Sequence, residues 1–416
     1  MTELTDFLPQ QRWFADKSQE ISEVVLLDSL TLETGGELQL IGIVFGTGAR
    51  AIYQLVPELG QGLPQAMAAH TDLETAQGCF AFRSVDGLSF EHPVLRSIGA
   101  EQSNTTVVVD DRYALKVFRK LDAGINPELE MLRFLTARDY PNIAALRGWY
   151  EYEGPLMAAT LGVLQDFIPD GRDGWQLALE EIPSDPARFL QRAASLGTAT
   201  AHLHSTLATD HADPAFAPED PSTESMALLR ARIDEDIEQM FQTLPDVDSV
   251  APIASRGADM RGRLSERPLI TSSGRYIRIH GDYHLGQTLA RPDGSWILLD
   301  FEGEPARALS ERRMKRSALR DVASMLRSFA YAAAAVAREG HTVPADFELS
   351  ARSAFLETYF ADVDQGLLPA GQPAVENLLG IFELEKAIYE LRYELNNRPD
   401  WVAIPVAGIE RLLEAA

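Results

Sequence analysis

The chain has 416 residues, 45% of them hydrophobic, and a formal net charge of −25. That length predicts two or three domains with a substantial core. The acidic balance excludes nonspecific nucleic-acid binding and attachment to anionic membranes, though not a nucleotide held in a local basic pocket. A single cysteine, Cys79, rules out an internal disulfide. The opening MTELTDFLPQQRWF has no basic segment followed by an apolar run, so no signal peptide is expected. The longest apolar run, around 329–336, is too short to span a bilayer. A soluble, cytoplasmic protein is the expectation.

In chain order, residues 1–16 read as a short amphipathic helix with Trp13 and Phe14 packing inward. Segments 24–32, 37–45 and 51–56 are β-type, separated by Gly35-Gly36 and Gly46-Thr47-Gly48, which predicts an antiparallel meander. Residues 60–90 are less regular, and the first ninety residues hold no catalytic constellation. A second meander runs through 95–99, 105–109 and 113–118, with Asp110-Asp111 at its tight turn. Alternation puts Ala114, Lys116 and Phe118 on one strand face. A lysine there either takes an acidic partner or a phosphate, or is an edge-strand lysine pointing to solvent. A helix starts near Pro127, which suits a first turn. Glu128 lies four residues before Leu132 and seven before Leu135 and shares their inward face, so it is the candidate partner of Lys116, with Glu130 the alternative.

The run 161–168, LGVLQDFI, is a strand, and the break Pro169-Asp170-Gly171 suits a hinge between two lobes. The rest is mostly helical, with helices over 187–207, 224–244, 253–266, 319–338, 344–360 and 374–396. His202-Leu203-His204 lacks the cysteines and carboxylate spacing of a metal site, so His204 is expected to pack under a catalytic loop. The acid-rich stretch 210–248 reads as a solvated face.

The richest stretch is 278–300, RIHGDYHLGQTLARPDGSWILLD. Its spacing matches HxDxxxxN followed by a buried strand that ends in Asp, the layout of a kinase-type phosphoryl-transfer site. Asp282 would accept the proton of the attacking hydroxyl. Gln287 and Asp300 would hold Mg²⁺ through oxygen. Two departures stand out: Gln287 replaces the usual Asn, and Asp300 opens DFE rather than DFG. The bland reading is a hairpin whose Asp and His residues hold a turn. GxxxxGK[ST] is absent, so a P-loop NTPase is excluded.

A strand lysine, HGDxHxxQ and DFEGEP together resemble the aminoglycoside-phosphotransferase-like, eukaryotic-kinase-like fold. The longer strings EQSNTTVV, INPELEMLRFL, HGDYHLGQTL, LLDFEGEPARALSERR, LRDVASMLRSFAYAA and ELEKAIYELRYELNNRPDWVAIPV resemble actinobacterial-type maltokinases nearly end to end. The resemblance implies an α+β, bilobal, protein-kinase-like fold: an N-terminal cap subdomain at 1–90, the rest of a β-rich N-lobe at 91–166, and a mostly helical C-lobe at 167–416. It implies transfer of a phosphoryl group from ATP, with Mg²⁺, to the anomeric hydroxyl of maltose, feeding α-glucan synthesis from trehalose. Other readings are a kinase of the same fold acting on glucosamine or a similar sugar, and a non-catalytic pseudokinase-like binding module.

The resemblance also implies roles. Lys116 contacts the α/β phosphates and Glu128 orients it. Segment 100–106 replaces a phosphate-covering loop, with Gln102, Ser103 and Asn104 as donors. Gln165 and Phe167 bracket the adenine hinge. On the sugar side it points to Lys386, Tyr389, Glu390 and Tyr393 on one helix face, with Trp401 beyond, and His280 is placed with this substrate set. Without the resemblance, the same helix is one packed by its tyrosines with solvated charges.

Overall fold

The computed structural model describes residues 2–85, 87–98, 104–266, 274–305 and 307–414. The chain divides into two units. One comprises Met1–Asp139, Ile143–Asp170 and Ala306–Arg312; the other comprises Tyr140–Asn142, Gly171–Pro305 and Arg313–Ala416.

The first unit is built on two antiparallel sheets. The four-stranded sheet orders Ile21–Thr31, Glu37–Phe45, Arg50–Glu58 and Lys120–Leu121. The first three are the expected meander. The N-terminal helix is only Thr2–Phe7, followed by a 3-10 turn Leu8–Gln10. Pro9 removes a backbone donor and stops the α-helix short of Asp16. Trp13 and Phe14 do point inward, joining Leu8, Ile41, Phe45 and Tyr53 in the core of this sheet.

The seven-stranded sheet orders Asp72–Glu74, Cys79–Ser84, Leu146–Glu153, Ala158–Asp166, Tyr113–Phe118, Asn104–Val109 and Leu95–Ser97. Asp110 and Asp111 both take positive φ (54° and 50°) at the hairpin, the backbone a two-residue primed turn needs. Two findings differ from the sequence reading. Cys79–Ser84 pairs with Leu146–Glu153, so a boundary at residue 90 cuts through this sheet. Strand Tyr113–Phe118 is interior, paired on both sides, so Lys116 is not on an edge. Helix Pro127–Thr136 follows, with Pro127 in its first turn and the Asn126 side chain accepting the Glu128 N–H at 2.8 Å.

The second unit is mostly helical. Helices Gly174–Ser184 and Pro186–Leu207 are each capped by an aspartate, Asp173 and Asp185. Helices Thr223–Thr243, Gly257–Glu266, Gln372–Asn397 and Ala403–Glu414 share one core through Ile233, Ile237, Met260, Ile388, Leu391 and Ile409. Helix Leu319–Arg338 buries Val322, Met325, Leu326 and Phe329. A small antiparallel sheet, Arg172–Asp173, Thr288–Ala290 and Trp296–Leu298, carries the conspicuous 278–300 stretch. Among the described residues, no helix is long and apolar enough to cross a membrane.

Candidate active site

The loop that presents Asp282 is held from below by one buried carboxylate. Asp321, in the first turn of helix Leu319–Arg338, accepts the backbone N–H of His280 at 2.8 Å and of Gly281 at 3.0 Å. Its Oδ2 also lies 3.1 Å from Nε2 of His204, whose Nδ1 meets the Tyr359 hydroxyl at 2.9 Å. Burial alone would raise the Asp321 carboxyl, but His204, His280 and the Gly281 amide hold it below the ordinary value. His204 therefore packs under the loop, as expected from the sequence.

His280 is 1% exposed. Its ring lies against Tyr283 and Phe301, its Nε2–H donates to the Leu299 carbonyl at 2.8 Å, and Nδ1 accepts the Asp282 N–H at 3.4 Å. It shapes the turn and does not face a ligand, which corrects its placement in the substrate set. Gly281 takes φ +83°, and a Cβ there would stand 3.3 Å from Gly303 Cα, so a side chain at this position is strained. Asp282 is left half-buried at the loop's tip.

Gln287 and Asp300 converge. The Gln287 side chain donates to Asp300 Oδ2 at 3.1 Å, and the Gln287 carbonyl accepts the Leu299 N–H at 2.9 Å. Asp300 follows strand Trp296–Leu298 and adopts φ +61°, a left-handed conformation that costs energy for a residue with a side chain. Asn142 holds that strand, its carbonyl accepting Leu298 N–H and its amide donating to the Trp296 carbonyl. A carboxylate and an amide oxygen are the donor chemistry a hard divalent cation takes, so these two residues fit Mg²⁺.

In the first unit, Lys116 Nζ meets Glu128 Oε2 at 2.5 Å. Lys116 is 9% exposed and Glu128 1%. Helix phase thus selects Glu128 as the partner. The other nucleotide-side expectations fare differently. Gln102 and Ser103 lie outside the described residues. Asn104 Oδ1 accepts the Arg119 N–H, a strand-pairing role. Gln165 is half-buried, opposite Leu146 and Ala114. The Phe167 N–H is already given to the Arg112 carbonyl at 2.8 Å, and the Arg96 guanidinium stands over its ring.

With this geometry in hand, sequence and structure comparisons decide the family. Residues 94–304 match the Phosphotransferase enzyme family, and residues 7–78 match the Maltokinase N-terminal cap domain. The chain belongs to the phosphotransferase enzyme family. It is 27% identical over 348 residues to a glucosamine kinase of Mycolicibacterium smegmatis, covering 77% of this chain and 79% of that one. It is 26% identical over 341 residues to a glucosamine kinase of Streptacidiphilus jiangxiensis, covering 76% and 73%. A glucosamine kinase solved in complex with glucosamine, ADP and inorganic phosphate superposes with a TM-score of 0.73 at 19% identity, over 98% of this chain and 99% of that one. At that identity the likeness is one of fold: the mixed helix-and-sheet, kinase-like architecture expected from the sequence, with its N-terminal cap.

Within this phosphotransferase, the acceptor-side expectations separate into two groups. Lys386 and Tyr389 stay together, with Lys386 Nζ 5.1 Å from the Tyr389 ring centre. Burial, a hydrogen bond to Glu304 and the nearby Asp282 charge all push the Tyr389 hydroxyl upward. Glu390 does not join them. Successive helical residues are about 100° apart, and Glu390 turns inward, 8% exposed, onto Arg327 at 2.8 Å. Glu383 and Glu394 share that inner side. Trp401 stacks on Tyr331 and carries the Arg338 and Arg398 guanidinium groups, so it is a packing residue and no open platform. The Glu390 correction has a simple cause: equal spacing along a helix leaves its phase open.

Sequence reasoning missed Asp321, Glu304 and His284. A lone acid opening an apolar helix reads as a helix-dipole residue, so Asp321 carried no distinct signal. His284 was visible in HGDxH but was given no role.

Proposed function

We propose that this phosphotransferase is an ATP-dependent sugar kinase that phosphorylates maltose at its anomeric hydroxyl, giving maltose 1-phosphate for α-glucan synthesis. The observation that carries the sugar is the match of residues 7–78 to the maltokinase cap. The chemistry rests on Asp282 at the tip of the loop and on Gln287 and Asp300, whose side chains meet at 3.1 Å.

Asp282 takes the hydrogen bond of the acceptor hydroxyl and receives its proton as the oxygen bonds to the γ-phosphorus. The bond from that phosphorus to the bridging oxygen breaks and ADP leaves. Gln287 and Asp300 would hold Mg²⁺, which when bound neutralises charge on the phosphate oxygens. Lys116, oriented by Glu128, supplies a fixed positive charge for nucleotide phosphates. Most of the rate gain in such a transfer comes from positioning and charge, so Asp282 need not be a strong base.

A second reading is a glucosamine kinase, the name borne by both relatives above. Glu304 beside Tyr389 offers a carboxylate that an amine would use. Lys386 opposes it, because an ammonium beside the site repels a protonated amino sugar. The deciding experiment is ADP release with maltose, glucose, trehalose and glucosamine as acceptors. Strong preference for glucosamine sinks the maltose reading. Asp282→Ala should lose turnover by orders of magnitude while binding ATP normally, and retained turnover removes Asp282 from the chemistry.

A further inference from the structure

His284 stands three residues from Gln287 and has no part in the mechanism above. Its Nδ1 accepts the backbone N–H of Gly286 at 3.1 Å, capping the 3-10 turn Leu285–Gln287. That bond consumes the Nδ1 lone pair. In a neutral imidazole the proton must then sit on Nε2, which becomes a donor only. Burial and the Lys386 charge favour the neutral ring, while Asp282 and Asp300 oppose them. The tether at Nδ1 also prevents the ring from swinging away.

Nε2 points toward Asp282, 4.0 Å from Oδ2. This is too long for a direct hydrogen bond. Neither side chain is sealed: His284 is 42% exposed and Asp282 26%. The pair therefore presents one acceptor and one donor, separated by a gap and facing solvent. His280, four residues earlier, is sealed inside and offers neither.

We infer that Asp282 and His284 together grip two neighbouring oxygens of the acceptor: the attacking hydroxyl donates to Asp282, and the oxygen next to it accepts from His284 Nε2–H. Adjacent oxygens on a sugar stand about a hydrogen bond's length apart and satisfy both groups at once. A simple alcohol satisfies only Asp282. His284 is thus a specificity residue for polyhydroxylated acceptors, and it leaves the nucleotide alone. The inference rests on the sugar-kinase reading.

Two near-isosteric variants separate this role from the turn-capping one. In His284→Asn the side-chain oxygen replaces Nδ1, so Gly286 keeps its partner and the outward donor is lost. In His284→Gln the side-chain NH₂ replaces Nε2–H, so the donor is kept and the cap is lost. Steady-state kinetics on the full chain, with sugar and ATP varied in turn, are read alongside thermal melting. The expected result is that His284→Asn melts like wild type and raises the sugar KM about two- to tenfold with the ATP KM unchanged. His284→Gln should melt lower and keep a sugar KM near wild type. The reverse ranking, wild-type kinetics in both variants, or an equal loss for ATP and sugar overturns the inference. If wild type releases no ADP with any sugar, the sugar-kinase reading fails and takes this inference with it; an active wild type with the ranking reversed defeats this inference alone.

Discussion

Asp321 and His204 meet inside the helical unit, Oδ2 to Nε2 at 3.1 Å, and the same carboxylate carries the backbone of His280 and Gly281. A charge this deeply buried is stable only while its donors are all in place. The 280–282 turn is thus fixed from the interior, leaving the Asp282 side chain half-buried at its tip.

Asp321→Ala should cost about 3–5 kcal/mol, because a buried imidazole and two amides lose their acceptor together. Asp321→Asn should cost less and show the linkage. The carboxyl is held below its ordinary value in the folded protein. Its contribution is full above the unfolded carboxylate value and is lost as pH falls through the lower folded value. Wild type should therefore lose melting temperature more steeply than Asp321→Asn below about pH 4. Parallel acid limbs in the two melting series would show that Asp321 is not the group that titrates.

Lys116 and Glu128 are both buried and form an ion pair, so removing one breaks a pair held away from water. Lys116→Met should lose about 3–5 kcal/mol of stability along with ATP affinity. The double variant Lys116→Met/Glu128→Gln should recover stability and leave turnover low. Recovery of turnover in the double variant would reduce Lys116 to a structural role and end its assignment to the phosphates.

Asp300→Asn should weaken Mg²⁺-dependent nucleotide binding, since a divalent cation needs the negative charge that an amide lacks. Calorimetry with ATP, with and without Mg²⁺, reads the effect directly. Binding in the absence of metal should change little. Unchanged Mg·ATP affinity would move the metal site away from Gln287 and Asp300.

Much of this was legible in the sequence, for physical reasons. Strands Glu37–Phe45 and Tyr113–Phe118 and helix Leu319–Arg338 have the expected bounds, because glycine turns and apolar periodicity mark their ends. The nearness of Gln287 and Asp300 was legible because strands Thr288–Ala290 and Trp296–Leu298, which they adjoin, pair as a local hairpin. The interior position of Lys116 was not, since strand order depends on Cys79–Ser84 and Leu146–Glu153 arriving from elsewhere in the chain. Glu390 failed for the related reason that a helix's inner side is chosen by its tertiary partner, here Arg327, and Trp401 because its stacking partner Tyr331 comes from a helix distant in sequence.

The acceptor helix gives the sharpest test of which sugar is used. Tyr389 donates to Glu304, and Lys386 lies over the Tyr389 ring, so a carboxylate and an ammonium flank the same phenol. For a neutral disaccharide both charges are hydrogen-bonding groups. For a protonated amino sugar, Glu304 attracts and Lys386 repels. Lys386→Ala and Tyr389→Phe should each raise the maltose KM about tenfold or less, with the ATP KM unchanged. Lys386→Ala should also raise kcat/KM for glucosamine relative to maltose, because the repelling charge is gone, and Glu304→Gln should lower it. The same four-sugar assay on the three variants reads all of these outcomes. If Lys386→Ala shifts the ATP KM and spares maltose, Lys386 belongs to the nucleotide. If Glu304→Gln abolishes glucosamine turnover that wild type already favours, the amino-sugar reading replaces the maltose one.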